Sequence, residues 1–262
     1  MSLQNPTVRQ YNEIKAILFD FGGTLYHVSF DEIGLALRIL KHLEKGDFPK
    51  AEIEHALTVA EDKFAKRMTA KQADRLRTAN TSEDWIAFNH FILEALGVAD
   101  PDRAIAIAMQ EQWERFWDNV KGNGSVFSIR SDWKDTFDTL QSRGYEIGLI
   151  SNTAVDLRPW LERDKVLPYL SVVIQSCEFG RAKPDPSIFH QACKELSLEP
   201  EQCAYVGNFY HADIIGAYNA DLVPILIEEG NNIAELPPNP PFQFSIIRSL
   251  SEIIDLLPLS RS

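Results

Sequence analysis

An aspartate that closes an apolar run and opens onto two glycines and a threonine is a candidate nucleophile. This chain carries one in Ala16-Ile17-Leu18-Phe19-Asp20-Phe21-Gly22-Gly23-Thr24-Leu25. The run reads as a buried strand, which delivers Asp20 to the carboxyl end of a sheet, where open α/β folds hold their ligands. Gly22 and Gly23 let backbone N–H groups approach an anion closely, and the Thr24 hydroxyl adds a donor. Read alone, the same decapeptide is equally a strand that stops at a tight turn.

Three later segments add chemistry in a fixed order. Tyr145-Glu146-Ile147-Gly148-Leu149-Ile150-Ser151-Asn152-Thr153 is a second strand-like run, ending on Ser151 and Asn152. Gly180-Arg181-Ala182-Lys183-Pro184-Asp185-Pro186 places Lys183 before two prolines and a helical pattern. Ala204-Tyr205-Val206-Gly207-Asn208-Phe209-Tyr210-His211-Ala212-Asp213 is a strand, a polar turn and a helix start. Each segment taken singly has a structural explanation: Ser151 or Asn152 as a helix cap, Lys183 as a solvated charge, Asp213 as a first-turn acid. Their order and spacing together resemble the four motifs of the haloacid dehalogenase-like hydrolase superfamily. The resemblance runs from Ala16 to Ala217 and continues into the strand-like Pro224-Ile225-Leu226-Ile227.

That resemblance implies an α/β fold: a Rossmann-like three-layer core with a mostly parallel sheet, plus a small all-α cap domain. Residues 31–45, 50–77, 82–96 and 102–120 carry apolar side chains at three- and four-residue spacing, with Ser82 and Asp102 as caps, and predict four helices. Lys121-Gly122-Asn123-Gly124-Ser125 reads as a return linker. The expected organisation is a discontinuous core of residues 1–27 and 125–262, with a helical cap over residues 28–124.

The resemblance also implies roles. Asp20 is the nucleophile that forms an aspartyl phosphate, with Thr24, Ser151 and Lys183 completing the catalytic set. Gly22, Gly23, Ser151, Asn152 and Lys183 hold the charged oxygens of substrate. Asp20, the Gly22 carbonyl, Asn208 and Asp213 are the oxygen ligands of a Mg²⁺ ion, which suits a partly hydrated all-oxygen site. The expected activity is Mg²⁺-dependent hydrolysis of a small phosphorylated metabolite.

Two positions depart from the phosphatase pattern. Gly22 stands two residues after the nucleophile, where such enzymes carry a second aspartate as general acid–base. Asn208 replaces the first acid of the fourth motif, so a neutral oxygen stands where a carboxylate would bind a hard cation more strongly. Both changes suit a leaving group that departs without a proton. They leave two alternatives: a metal-independent 2-haloacid dehalogenase-like hydrolase, and a catalytically weakened binding or regulatory protein. The dehalogenase pattern is missed at Gly22, at Phe189, which lacks the hydroxyl expected six residues after the lysine, and at Gly207, where a serine is typical. His27 and His211, near motif ends, read as surface or hinge residues rather than as substitutes for the missing acid–base.

Composition is compatible with this reading. At 262 residues and 45% apolar content the chain can bury one α/β core and a smaller insertion. A net charge of -12 argues against nucleic-acid and anionic-membrane partners. The resemblance implies a small anionic substrate, and the oligomeric state is left open between monomer and homodimer. Cys177, Cys193 and Cys203 have neither disulfide-framework nor zinc spacing, no membrane-span stretch occurs, and the polar first 13 residues lack a secretion-signal core. The cytoplasm is the expected location.

Overall fold

The computed structural model describes residues 11–28, 32–73, 82–123, 126–153, 155–230, 233 and 236–258. Eight strands occur among them: β1 (Ala16–Phe19), β2 (Tyr26–Val28), β3 (Phe127–Ile129), β4 (Glu146–Ser151), β5 (Val172–Gln175), β6 (Cys203–Gly207), β7 (Val223–Ile227) and β8 (Ser245–Ile247). Six form one sheet in the order β5-β4-β1-β6-β7-β8, with every neighbouring pair parallel. Parallel strands buried on both faces must be apolar throughout, and the Ala-Ile-Leu-Phe of β1 and Val-Pro-Ile-Leu-Ile of β7 are wholly buried. β8 was not anticipated; it is a three-residue edge strand, too short for alternation to register in sequence.

Strand order reverses at β1. The chain places β4 and β5 on one side of it and β6, β7 and β8 on the other. Such a switch point opens a crevice beyond the carboxyl ends of the strands, and Asp20 is the first residue after β1. The helix Pro186–Leu196 packs Ile188, Phe189, Ala192 and Cys193 against Leu18, Ile150 and Tyr205 of the sheet. It begins where Asp185 caps the Ser187 N–H at 2.9 Å and Pro186 supplies a first-turn proline. β2 and β3 pair as a separate antiparallel ribbon, Tyr26 opposite Ile129 and Val28 opposite Phe127.

The chain divides into two compact units, residues 1–28 with 127–262, and residues 29–126. The second holds, among its described residues, the helices Glu32–His42, Lys50–Ala73, Ser82–Ala95 and Ala104–Asn123, around a core that includes Leu40, Ile53, Ile92 and Met109. The fourth helix runs through Lys121, Gly122 and Asn123, which read as linker in the sequence, because one helical glycine costs only about 1 kcal/mol. Gly124 and Ser125 of that linker lie outside the described residues, as does the end of the expected second helix beyond Ala73. The principal cap of the fourth helix is Asp100 rather than Asp102. The buried Asp100 carboxylate accepts from the Ile105 and Ala106 N–H groups at 2.9 and 3.0 Å, whereas Asp102 reaches only Ala104, at 3.4 Å. No helix among the described residues is long and apolar enough to cross a membrane.

Candidate active site

Three adjacent strand ends build the site. Phe19 pairs with Leu149 of β4 and Val206 of β6, so Asp20, Ser151 and Gly207 all emerge at the same edge. The Asp20 N–H still donates to the Val206 carbonyl at 2.9 Å, which fixes the backbone from which the carboxylate projects. Asp20, Thr24, Ser151, Lys183 and Asp213 are all buried.

Lys183 is the centre of the arrangement. Its ammonium donates to Asp20 Oδ1 at 2.6 Å, Asp213 Oδ1 at 2.7 Å and the Tyr205 hydroxyl at 2.7 Å. Three N–H bonds thus have three acceptors, which leaves the ammonium its charge rather than a free N–H to offer a further group. Burial pulls its pKa down, but the charges of Asp20 and Asp213 outweigh burial and hold it above its ordinary value. Burial pushes the Asp20 carboxyl up to about 6; Lys183 opposes that rise and the Asp213 charge adds to it.

The loops around this cluster are tied to one another. Asn152 accepts from the Lys183 N–H at 2.8 Å and donates to the Lys183 carbonyl at 2.9 Å. The side-chain amide of Asn152 therefore anchors the backbone of the lysine. The Gly23 N–H closes the turn on the Tyr26 carbonyl at 2.7 Å, so of the two glycines Gly22 is the one whose N–H takes no part in that pairing. Gly23 has φ +78°, and a Cβ there would meet the Asn208 amide at 2.4 Å; backbone conformation and crowding both demand glycine. The Thr24 hydroxyl reaches Asn208 Oδ1 at 3.3 Å, joining the loop after Asp20 to the turn after β6. In that turn Asp213 Oδ2 accepts from the Phe209 N–H at 2.8 Å. A Cβ on Gly207 would lie 2.3 Å from Asp213 Cγ, so a serine at 207 is incompatible with this position of Asp213.

Two residues of the site had escaped the sequence reading. Tyr205 adds to its Lys183 bond a hydrogen bond from its hydroxyl to the Ile150 carbonyl at 3.0 Å, and it packs edge-on against Phe189 at 5.0 Å. It supplies a hydroxyl to the cluster that Phe189 lacks. Its only sequence signal was a phenol in an otherwise apolar buried strand, which needs a polar partner. Arg130 sits 106 residues from Thr24 along the chain and had no signal at all. Its guanidinium donates to the Thr24 carbonyl at 2.6 Å, the Gly23 carbonyl at 3.2 Å and Glu229 Oε2 at 2.5 Å, while its own N–H donates to the Leu25 carbonyl at 3.1 Å. Glu229 Oε1 in turn lies 3.0 Å from His27 Nδ1, which ties β2 to the same clamp.

Arg130→Ala is expected to free the carbonyls of residues 23 and 24 and lower stability by about 1.5–3 kcal/mol, the usual worth of hydrogen bonds to a charged group. Amide exchange over residues 20–26 should accelerate more than in the sheet. Arg130→Lys should recover only part of the protection, because an ammonium cannot reproduce the planar fork.

The oxygens beside Asp20 suit Mg²⁺ better than a softer ion. Among the described residues no three His, Cys, Asp or Glu converge on one point. What does gather is two carboxylates, Asp20 and Asp213, both bonded to Lys183, with Asn208 beside Gly23 and Thr24 on the adjoining turn. Mg²⁺ characteristically takes one or two carboxylates and completes its shell with water and substrate phosphate.

Comparison with known proteins places this geometry in a family. The model of the haloacid dehalogenase-like hydrolases matches residues 14–221. The chain is 28% identical to a glyceraldehyde 3-phosphate phosphatase of Methanothermobacter thermautotrophicus, over 85% of this chain and 89% of that protein. It is 27% identical to a ribulose-1,5-bisphosphate 5-phosphatase of Halopiger xanaduensis, over 81% and 84% of the two chains. The structure of a predicted phosphoglycolate phosphatase from Haemophilus somnus superimposes with a TM-score of 0.68 at 16% identity, covering 94% of this chain and 98% of the other.

Proposed function

Since the chain belongs to the haloacid dehalogenase-like hydrolase family, we propose that it is a phosphatase of small phosphorylated metabolites with Asp20 as its nucleophile. The observation that carries this reading is the buried Lys183 ammonium bonded at once to Asp20 and Asp213 beyond the ends of β1 and β6. A buried carboxylate facing an anionic substrate needs a fixed positive charge beside it, and a site sheltered from water enlarges that effect. The phosphatase names of its relatives support the same substrate class.

In this mechanism an Asp20 carboxylate oxygen attacks phosphorus in line, the bond to the leaving oxygen breaks, and an aspartyl phosphate forms. Water then attacks the phosphorus, the bond to Asp20 breaks, and phosphate leaves. The Ser151 hydroxyl and the Gly22 N–H bind the phosphoryl oxygens. Asn152 and Tyr205 orient Lys183, Asp213 keeps its ammonium in place, and Arg130 holds the nucleophile loop. Mg²⁺, held by Asp20, the Gly22 carbonyl, Asn208 and Asp213, would when bound offset the charge of the phosphoryl group. With Gly22 in the position of an acid–base, preferred substrates are those whose leaving groups need no proton.

The same reading places the protein in the cytoplasm, as a monomer or homodimer acting on a small anion.

The test is phosphate release from acetyl phosphate and p-nitrophenyl phosphate, in Mg²⁺ and in EDTA. Turnover in Mg²⁺ with loss of at least about 10²-fold in EDTA is expected, in line with the several kcal/mol a Lewis acid contributes. Absence of release from both substrates would overturn the reading.

A further inference from the structure

Covalent hydrolysis moves two protons: one to the departing oxygen, and one from the water that resolves the intermediate. The first can be dispensed with by choice of substrate, because a carboxylate or phenolate leaves without it. The second cannot, since the attacking molecule is water whatever the substrate.

The loop that carries Asp20 has no group for either transfer. Phe21, Gly22, Gly23 and Thr24 include no titratable side chain. The space that a Cβ on Gly22 would enter faces a methyl group, Val28 Cγ2, at 3.2 Å, so an apolar contact and no substitute acid borders that position. The side chain hydrogen-bonded to Asp20 among the described residues is Lys183, which keeps its proton between two carboxylates. Both Asp213 oxygens have donors, from Lys183 and from the Phe209 N–H. The Tyr205 hydroxyl donates to the Ile150 carbonyl and accepts from Lys183. His27 is engaged by Glu229. His211 follows Asn208 on the turn after β6 and is the base that the experiment below must discount.

We propose that this chain accumulates its phosphorylated form: with acyl or aryl phosphates Asp20 is phosphorylated rapidly and released slowly, so the aspartyl phosphate is the resting species during turnover. The inference rests on the phosphatase reading above. In the first step the Asp20 oxygen–phosphorus bond forms and the phosphorus–leaving-oxygen bond breaks, with the electron pair departing on the carboxylate or phenolate. In the second, water oxygen bonds to phosphorus, the Asp20 carboxylate is regenerated, and the water proton passes to solvent. Without an acid–base side chain in the loop that carries Asp20, the second step is slower by about 10²–10⁴-fold and the first is untouched.

Rapid acid quench of the full chain with ³²P-acetyl phosphate in Mg²⁺ tests this. The expected result is a burst of label approaching one per chain, labile to hydroxylamine, followed by phosphate release at least about 10-fold slower than the burst. Gly22→Asp, made alone and with Val28→Ala to relieve the 3.2 Å contact, should abolish the burst and speed steady release. Asp20-dependent turnover of wild type without a burst would overturn the proposal and leave the phosphatase reading standing. A burst that vanishes only slowly in both Gly22→Asp variants would overturn it as well, placing the slow step elsewhere. A steady rate in His211→Ala far below wild type would overturn it by identifying a base. No label and no phosphate release would overturn both readings.

Discussion

Asp20→Asn is expected to abolish phosphate release from acetyl phosphate, a loss of at least about 10⁴-fold, because an amide oxygen is no nucleophile toward phosphorus. The fold should survive the change. The amide keeps the shape of the carboxylate and leaves Lys183 with Asp213 as a neutral buried pair at 2.7 Å. The same variant has a signature in stability. The Asp20 pKa is about 6 in the native protein against an ordinary 3.8, so between those values the native state holds a proton that the unfolded chain has lost. Stability therefore falls as pH rises through that window, and the cost is complete above about pH 6. A rise of this size corresponds to about 3 kcal/mol. Chemical unfolding in EDTA should show that decline in wild type and a flatter profile in Asp20→Asn, which should be the more stable of the two at pH 7. An unchanged slope would show that Asp20 is ionised throughout.

Lys183→Met should do the opposite, costing both activity and stability. The ammonium is the cation shared by Asp20 and Asp213, and all three groups are buried. Removing one member of a buried ionic cluster leaves charge uncompensated and typically costs about 3–5 kcal/mol. One of the two carboxylates takes up a proton in response, so the deficit against wild type should be larger at pH 8 than at pH 5. Adding Asp213→Asn to Lys183→Met removes the like-charge contact and should restore part of the stability. It should restore none of the activity, which falls by about 10²–10³-fold through loss of the positioned positive charge. Equal stability at both pH values would separate Lys183 from the ionisation of its neighbours.

Much of the site was legible because its residues lie in short local patterns. The strand that ends on Asp20, the strand that ends on Ser151, and Lys183 before Pro184 each occupy a few consecutive positions, and the order of the motifs selects among folds. Asn152 and Gly23 show the limit of that reading. Both belong to the right loops, yet the amide of Asn152 is bonded to the Lys183 backbone and the Gly23 N–H to Tyr26. A motif places a residue near the chemistry without saying which of its atoms remain available.

The sequence by itself determined the α/β architecture, the strand that ends on Asp20 and the absence of a side chain at Gly22, since apolar runs, turn glycines and residue identities are local properties. Only the tertiary structure decided that Lys183 binds Asp20, Asp213 and Tyr205 together, that Arg130 grips the carbonyls of residues 23–25, and that a valine methyl faces Gly22. Those contacts join positions as far apart as Asp20 and Lys183, 163 residues along the chain. Periodicity cannot encode them, because they arise when parallel strands distant in sequence end side by side and bring their loops within hydrogen-bonding distance.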